Sequence, residues 1–180
     1  MSVIFPDEIP ISKSLRLRTL KVPDYLTLWF LIEANRDYLK PFLPWVNNTQ
    51  RPEDSRYFIQ GAILLAKQHR EAHWGIFQDN LLCGLIGVHQ IDWDEFSATL
   101  GYWLSEDKQG QGIMTSVITT LLPILHDDLR LKILEIRVAE ENIPSIKVAE
   151  KSGFTYIKRI ENTEQTQDQW LNHLIFRHQN

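Results

Sequence analysis

The sequence has little cysteine, no long apolar run and no cluster of basic residues. Its single cysteine, Cys83, excludes an internal disulfide and a cysteine-rich metal site. No apolar run is long enough to cross a bilayer, and residues 1–12 have no positive region ahead of an apolar stretch, as a secretory signal requires. We therefore expect a cytoplasmic protein that does not act at a membrane.

The charge balance argues against nucleic acid as a direct ligand. The chain carries 19 Lys and Arg residues against 23 Asp and Glu residues, a formal net charge of −4. No basic block is present to neutralise a row of phosphates. The acidic balance mildly favours an amine substrate. With 43% hydrophobic residues and no repeat or linker, residues 1–180 are predicted to form a single domain.

Hydrophobic periodicity predicts a mixed α/β fold with a central twisted sheet flanked by helices. The first half reads as an antiparallel meander with two helices, and the second half alternates strands and helices. The predicted strands are residues 14–19, 72–77, 81–89, 99–104 and 133–138, a strand from Phe154, and residues 169–177. The predicted helices begin near Pro23, Pro52, Gly112 and Pro144. Residues 162–168 are predicted to be a polar connection.

Residues 101–117, GYWLSEDKQGQGIMTSV, read as a strand, a glycine loop and a helix. Gly110 and Gly112 allow positive φ and close approach of another molecule, and the loop and the first helical turn present N–H groups to an anion. The P-loop pattern is absent, and Thr115 stands where the dinucleotide fingerprint needs a third glycine. The loop alone leaves a phosphate site and an ordinary tight turn equally open. Pro123 predicts a kink in this helix or its early end.

A second stretch, residues 133–157, reads as a strand, a short helix and a strand. Pro144 suits the first helical turn and Lys151 suits the last. Gly153 suits the position just after the helix.

Together these stretches resemble the acyl-CoA-binding core of the GNAT superfamily of N-acetyltransferases. The loop Gln109-Gly110-Gln111-Gly112 resembles its pyrophosphate-binding motif, and Asn142, Ser145 and the run AEKSGF at 149–154 resemble its next motif. GYWL followed by QGQGIM is similar to the RimJ/RimL branch, which acetylates N-terminal amines of ribosomal proteins. Asp107 departs from the pattern, which usually has Gln or Arg three residues before the first glycine.

The resemblance implies the GNAT fold, acetyl-CoA as co-substrate and no metal. It implies direct attack by the N-terminal amine of a ribosomal or other protein, and it is compatible with a homodimer. The backbone N–H of Leu104 would face the thioester carbonyl, and such a donor is typically worth roughly 3–4 kcal/mol. The Ser145 hydroxyl would lie near the leaving sulfur. The implied cofactor-binding residues are Trp103, Leu104, Gln109, Gly110, Gln111, Gly112, Ile113, Met114, Thr115, Asn142 and Ser145.

Several alternatives stay open at this point. Asn142 is a helix cap, a contact to the pantetheine arm, or both, and Ser145 is a plain first-turn residue or the group near the sulfur. The aromatic loop at residues 39–48 either caps the core or forms an acceptor wall through Phe42 and Trp45. The acceptor is a protein N-terminus or a small amine such as a polyamine, an amino acid or an antibiotic, and a non-catalytic acyl-CoA sensor is a further reading. The candidates for a general base are Glu140, Glu141, His89, Asp92 and Glu106.

Overall fold

The computed structural model describes residues 5–166 and 170–180. Within these ranges the strands form one 8-stranded sheet in the order β1-β2-β3-β4-β5-β6-β8-β7. The strands are β1 (Glu8–Pro10), β2 (Leu15–Thr19), β3 (Ala72–Gln78), β4 (Leu81–Asp92), β5 (Ser97–Leu104), β6 (Ile133–Ala139), β7 (Thr155–Gln165) and β8 (Trp170–Gln179). The helices are α1 (Tyr25–Ala34), α2 (Arg36–Leu39), α3 (Pro52–Lys67), α4 (Ile113–Pro123) and α5 (Ile143–Lys151).

The sheet is mixed, as the sequence predicts. Strands β1 to β5 pair antiparallel in chain order. Strands β5 and β6 pair in parallel, and α4 lies between them in the chain, as a parallel connection requires. The last two strands then pair antiparallel, with β8 between β6 and β7.

Each face of the sheet carries its own layer of helices. On one side, Leu100 and Leu104 of β5 belong to the same buried cluster as Val117 and Leu121 of α4 and Ala149 of α5. We call this side the α4/α5 face. On the other side, Trp103 clusters with side chains of α1 and α3, and we call it the α1/α3 face. Since side chains alternate along a strand, neighbouring residues of β5 reach opposite faces.

Helix α4 ends at Pro123, and residues Ile124–Asp128 continue as a π-helical turn. Proline cannot donate the backbone hydrogen bond of an ordinary α-helical turn, so a wider turn is a natural way to continue the chain. The predicted early end of the helix is confirmed.

The part of the chain that the structure describes contains no helix long and apolar enough to cross a membrane.

Two local predictions need correction. Strand β7 continues to Gln165, so residues 162–165 are not a connection, and residues 167–169 lie outside the described ranges. The register shifts between Ile160 and Glu164, and Asn162 has a φ of 47°. An irregular strand with two exposed faces shows no apolar alternation, which is why the pattern missed it.

The aromatic loop at residues 39–48 also has more regular structure than the sequence predicts. Residues Pro44–Asn48 form a 3₁₀ helix, and the Arg36 side chain donates to the Val46 carbonyl at 2.6 Å. Leu39 and Val46 are buried in the core on the α1/α3 face. The core-capping interpretation of this loop is therefore confirmed.

Candidate active site

Strands β5 and β6 diverge at their carboxyl ends. They pair in parallel from Ser97 and Ile133 only as far as Leu100 and Ile136. Beyond this point β5 stays paired with β4 to Leu104, while β6 stays paired with β8. We call the resulting space the β5–β6 gap.

The backbone N–H of Leu104 points into the β5–β6 gap. The next residue, Ser105, donates its N–H to the Cys83 carbonyl of β4 at 2.8 Å. Successive N–H groups of a strand point in opposite directions, so that of Leu104 points away from β4. The Leu104 carbonyl lies on the same edge and accepts from Nε2 of Gln109 at 3.2 Å. Leu104 therefore presents a fixed donor where β6 has moved away.

The glycine loop needs glycine for its backbone conformation. Gly110 has a φ of 71° and Gly112 a φ of 75°, in the left-handed region that other residues rarely adopt. Gly112 caps α4, and the first helical hydrogen bond runs from Ser116 N–H to its carbonyl at 3.0 Å. The N–H groups of Ile113, Met114 and Thr115 precede that bond, as in any first turn of a helix. An anion at this end is stabilised by these donors and by the helix dipole.

The side chains of the loop support its shape rather than add positive charge. Gln111 donates from Nε2 to the Asp107 carbonyl at 2.8 Å. The Asp107 carboxylate is exposed and lies 3.9 Å from the Lys108 ammonium. The departure from the family pattern at Asp107 therefore places a carboxylate at the surface, and Lys108 partly offsets its charge.

A cavity at the β5–β6 gap brings together most of the side chains that the sequence singles out. It is bounded by the strand β5, the loop after it, the first turns of α4 and α5, and the α2 region. Its lining residues are Tyr38, Leu39, Phe42, Leu43, Tyr102, Trp103, Leu104, Gln109, Met114, Asn142, Pro144, Ser145 and Val148.

Ser145 and Tyr102 form a hydrogen-bonded pair across the gap. The Ser145 hydroxyl donates to the Tyr102 hydroxyl at 3.0 Å, and the Tyr102 hydroxyl donates to the Ser145 carbonyl at 3.2 Å. Ser145 lies in the first turn of α5, while Tyr102 lies on β5. The two hydroxyls are thereby held at the edge of the same cavity.

Tyr102 is a functional candidate that the sequence analysis missed. Burial raises the pKa of Tyr102 to about 12, although the hydrogen bond with Ser145 acts in the opposite direction. The phenol therefore stays protonated at neutral pH and is able to donate a proton. Its position in the chain hid this role, because Tyr102 precedes the glycine loop and reads as part of an apolar strand. The alternation of β5 was the available signal, since it places Tyr102 on the same face as Leu104.

Asn142 caps α5 and at the same time lines the cavity. Its Oδ1 accepts from the backbone N–H of Ser145 at 3.2 Å. This is the usual bond of an N-cap side chain, and it fixes the first turn that carries Ser145. The helix-cap interpretation is confirmed, while the contact to a pantetheine arm stays a prediction.

Of the two residues predicted for the acceptor wall, one lines the cavity and the other packs against a residue that lines it. Phe42 lines the cavity directly. Trp45 packs against Trp103, which lines the cavity. Their ring centroids are 6.2 Å apart, and Trp45 remains 37% exposed. Asn35 links this region to the end of β5 by accepting the Glu106 N–H at 2.8 Å. The end of α1 is thus tied to the loop that follows β5.

The structure narrows the candidates for a general base. The hydrogen bonds from Arg159 and Asn172 lower the pKa of Glu140 to about 2, which makes it a poor base. Asp92 accepts the N–H groups of the two residues that follow it closely in the turn before β5, each at 2.9 Å.

Within residues 5–166 and 170–180, no group of three or more His, Cys, Asp and Glu side chains is arranged to hold a metal ion.

Comparison with known proteins agrees with this geometry. Residues 14–155 match the model of the Acetyltransferase (GNAT) domain family. The chain is 30% identical over 148 residues to the ribosomal-protein-serine acetyltransferase of Escherichia coli (strain K12), which covers 82% of this chain and 83% of that protein.

Two solved structures extend the similarity to three dimensions. RimL, a ribosomal L7/L12 alpha-N-protein acetyltransferase in complex with coenzyme A, superposes with a TM-score of 0.92 at 26% identity and covers 96% of this chain and 97% of its own. An acetyl transferase of Salmonella typhimurium that modifies the N-terminal serine of 50S ribosomal subunit protein L7/L12 superposes with a TM-score of 0.89 at 25% identity and covers 96% of this chain and 99% of its own.

The family match extends from the residue before β2 to the first residue of β7, so it contains the glycine loop, the β5–β6 gap and α5. The sheet, its helices and the matched segment agree with the resemblance found in the two motifs. The chain therefore belongs to the GNAT acetyltransferase family.

Proposed function

We propose that this protein transfers the acetyl group of acetyl-CoA to the N-terminal amine of a ribosomal or other protein. The observation that carries the proposal is the meeting of three features at one gap. These are the Leu104 N–H, the Ser145–Tyr102 hydroxyl pair and the glycine loop at the start of α4. The similarity to enzymes that acetylate ribosomal proteins supports the choice of acceptor.

The residues of the gap fit acetyl-CoA. Gly110, Gly112 and the first turn of α4 provide the N–H groups for a pyrophosphate, and the space beside both glycines is open, since an added Cβ would meet no atom within 4 Å. The edge of β5 beyond Leu100 leaves backbone groups for an extended pantetheine arm. Acetyl-CoA supplies an acetyl group activated as a thioester.

Groups of the chain itself stabilise the two negative charges that the transfer creates, one on the acetyl oxygen and one on the departing sulfur. The Leu104 N–H donates to the negative charge that develops on the acetyl oxygen, and such preorganised donors are typically worth roughly 3–4 kcal/mol. Tyr102, kept protonated by its burial, gives a proton to the departing sulfur. Ser145 orients the Tyr102 hydroxyl through their shared hydrogen bond. No covalent acyl-enzyme is needed, since the amine attacks directly.

The chemistry of the acceptor favours an α-amine over lysine. An α-amine has a pKa of about 7.7–8.0, against about 10.4 for a lysine side chain. Roughly a tenth of the α-amine is therefore neutral at pH 7, whereas lysine is almost fully charged. A site with a weak base is therefore sufficient to deprotonate an α-amine but insufficient to deprotonate a lysine side chain. Phe42 and Trp45 form the wall against which the first residues of the acceptor lie.

The test is a thiol-release assay with acetyl-CoA and three groups of amines. These are peptides with free N-termini, peptides whose only amine is lysine, and small amines including polyamines. A Gly112→Trp variant, which fills the phosphate site, serves as the control. We expect turnover confined to free N-termini and lost in the variant.

Each other outcome identifies a rival function. Turnover with small amines alone would replace the protein acceptor by a small molecule. Clear binding of acetyl-CoA without turnover on any amine would support a non-catalytic sensor. A homodimer and a cytoplasmic location also belong to the proposal, and size-exclusion chromatography with light scattering tests the first.

A further inference from the structure

The carboxamide of Asn35 joins two segments that bound the cavity at the β5–β6 gap. Asn35 lies between α1 and α2 and is buried. Its Nδ2 donates to the Leu31 carbonyl of α1 at 2.8 Å, and its Oδ1 accepts the backbone N–H of Glu106 at 2.8 Å. These partners fix the orientation of the carboxamide, because a carbonyl needs a donor and a backbone N–H needs an acceptor.

The loop after β5 is the fixed side of this connection. Leu104 pairs with Gly84 of β4, and the N–H of Ser105 donates to the Cys83 carbonyl at 2.8 Å. Strand β4 is itself held on its other side by β3. The Glu106 N–H follows directly on these contacts, so it is a firm anchor two residues along the chain from the Leu104 donor.

The other side of the connection is a segment that Arg36 holds together. The Arg36 guanidinium donates to the carbonyls of Val46 and Thr49, to the first of these at 2.6 Å. These bonds close residues 36–49, which contain α2 and both predicted residues of the acceptor wall, into one unit. We call this unit the wall segment. Asn35 is the residue directly before it.

One hydrogen bond fixes the wall segment against the end of β5. Within the ranges that the structure describes, the bond to Asn35 is the only hydrogen bond that joins residues 35–49 to residues 104–112. The rings of Trp45 and Trp103 also meet there, with centroids 6.2 Å apart. An apolar contact between rings tolerates sliding, whereas a hydrogen bond is directional. The Asn35 bond therefore sets the position of the wall segment relative to β5.

This position matters for the transfer itself. In the proposed reaction the first residues of the acceptor lie against Phe42 and Trp45, while the acetyl group lies at the Leu104 N–H. Attack requires the reacting atoms to approach to about 3–3.5 Å in line, and a displacement of about 1 Å can lower the rate about 100-fold. An acceptor held by the wall segment is aligned with the thioester only if the segment itself is fixed.

We propose that Asn35 is a positioning residue that fixes the wall segment against the end of β5, and that it thereby favours acceptors long enough to contact the wall. The inference rests on the proposed function and names a structural basis for its preference for polypeptide N-termini. Asn35 itself does not line the cavity, so it acts through the segments that it joins. A small α-amine such as glycinamide reaches Leu104 without touching the wall and depends little on this bond.

The test compares kcat/KM for two acceptors at saturating acetyl-CoA. One is a short peptide with a free N-terminus and no lysine, and the other is glycinamide, which has an α-amine but no side chain. In Asn35→Ala the ratio of the two values, peptide over glycinamide, should fall about tenfold, which corresponds to the loss of one hydrogen bond. Binding of acetyl-CoA, followed by tryptophan fluorescence, should be unchanged, because Leu104 keeps its contacts with β4 and Gln109.

Arg36→Lys perturbs the same segment at a second point. A lysine keeps the charge, but it lacks the planar fork that donates to two carbonyls at once. The preference for the peptide should fall in the same direction as in Asn35→Ala and by a smaller factor. This variant decides the question if Asn35→Ala fails to fold.

The matched control is Trp93→Phe. Nε1 of Trp93 donates to the His69 carbonyl at 2.8 Å, so this variant also loses one bond from a side chain to the backbone. Trp93 lies before β5, at the opposite end of the strand from Leu104. Its kcat/KM for the peptide should equal that of the unmodified protein. If glycinamide is turned over too slowly to measure, this control decides whether the loss with the peptide in Asn35→Ala is specific.

Equal losses with the peptide and with glycinamide, or an unchanged preference in both Asn35→Ala and Arg36→Lys, would overturn the positioning role and leave the proposed function intact. The same loss in Trp93→Phe as in Asn35→Ala would also overturn it. An unmodified protein without turnover on the peptide would overturn the proposed function itself and the inference with it.

Discussion

The two faces of the sheet contribute to the β5–β6 gap in different ways. On the α4/α5 face the part of the site that fits acetyl-CoA is built mostly from backbone groups and short-range contacts, such as the loop at Gly110 and Gly112 and the Asn142 cap of α5, and the Tyr102–Ser145 pair adds a long-range contact. On the α1/α3 face it is built from side chains of separate segments, such as Phe42 and Trp103. A backbone site depends on local conformation, whereas a side-chain site depends on how distant segments pack.

This contrast predicts that substitutions on the two faces affect different kinetic parameters, which steady-state kinetics can test. Changes on the α4/α5 face should affect acetyl-CoA binding and the chemical step. Changes at Phe42 or Trp45 should affect the acceptor instead. A variant on one face that alters the parameters of the other would remove the distinction.

The largest effect is expected at Tyr102, in the gap itself. Tyr102→Phe removes the hydroxyl but keeps the ring, so kcat should fall about 100-fold while the KM for acetyl-CoA stays unchanged. Ser145→Ala should lower kcat less, because Ser145 acts through Tyr102. The double variant should lose little more than Tyr102→Phe alone, since bonded residues are not additive. If steady-state kinetics gave fully additive losses of kcat, Tyr102 and Ser145 would not act as one unit.

The pH dependence on the basic side sharpens the same point. With the pKa of Tyr102 at about 12, the phenol stays protonated well above neutral pH. The kcat of the unmodified protein should therefore show no basic limb up to about pH 10, two units below that value. A decline of kcat centred near pH 8 or 9 would show that a different acid protonates the sulfur.

The next largest effect compares the same substitution at two glycines. Gly112→Ala forces alanine to a φ of 75°, which should lower the free energy of unfolding by about 1–2 kcal/mol and weaken acetyl-CoA binding. Gly61→Ala lies in α3, where an added Cβ meets no atom within 4 Å, and should raise stability by about 0.5–1 kcal/mol. Urea denaturation measures both, and fluorescence titration measures the affinity. Equal effects at the two positions would contradict the role of the positive φ.

A smaller effect is expected at the cap of α5. Asn142→Ala should lower the free energy of unfolding by about 1 kcal/mol, because the Ser145 N–H loses its acceptor. Asn142→Asp keeps a cap oxygen and should retain the stability. If Asn142→Ala is as stable as the unmodified protein in denaturant titration, the cap bond does not hold the helix.

The smallest effect is expected at the outer aromatic wall. Trp45→Ala removes the ring that packs against Trp103 and should raise the KM of the acceptor peptide about two- to tenfold, the equivalent of an aromatic pair. The affinity for acetyl-CoA should be unchanged. Phe30→Ala, at a ring that is 61% exposed on α1, is the control and should leave both parameters alone.

The sequence predicted those parts of the fold that depend on local patterns. The glycine loop, the end of α4 near Pro123 and the helix α5 were readable because each depends on a few contiguous residues. Strand β7 was cut short in the prediction, because its residues are almost all exposed and show no alternation.

The site was predictable only where it is made of motifs. Asn142 and Ser145 were found together because they belong to one helix turn. Tyr102 was missed, since its partner Ser145 lies far along the chain and only the packing of α5 on β5 brings them together.

The most direct test of the account is to offer one peptide that carries both a free N-terminus and an internal lysine. After incubation with acetyl-CoA, tandem mass spectrometry locates the acetyl group. The account predicts acetylation of the α-amine alone, and none in Gly112→Trp. Acetylation of the lysine, or an acetylated α-amine that persists in Gly112→Trp, would contradict transfer at the β5–β6 gap to a protein N-terminus.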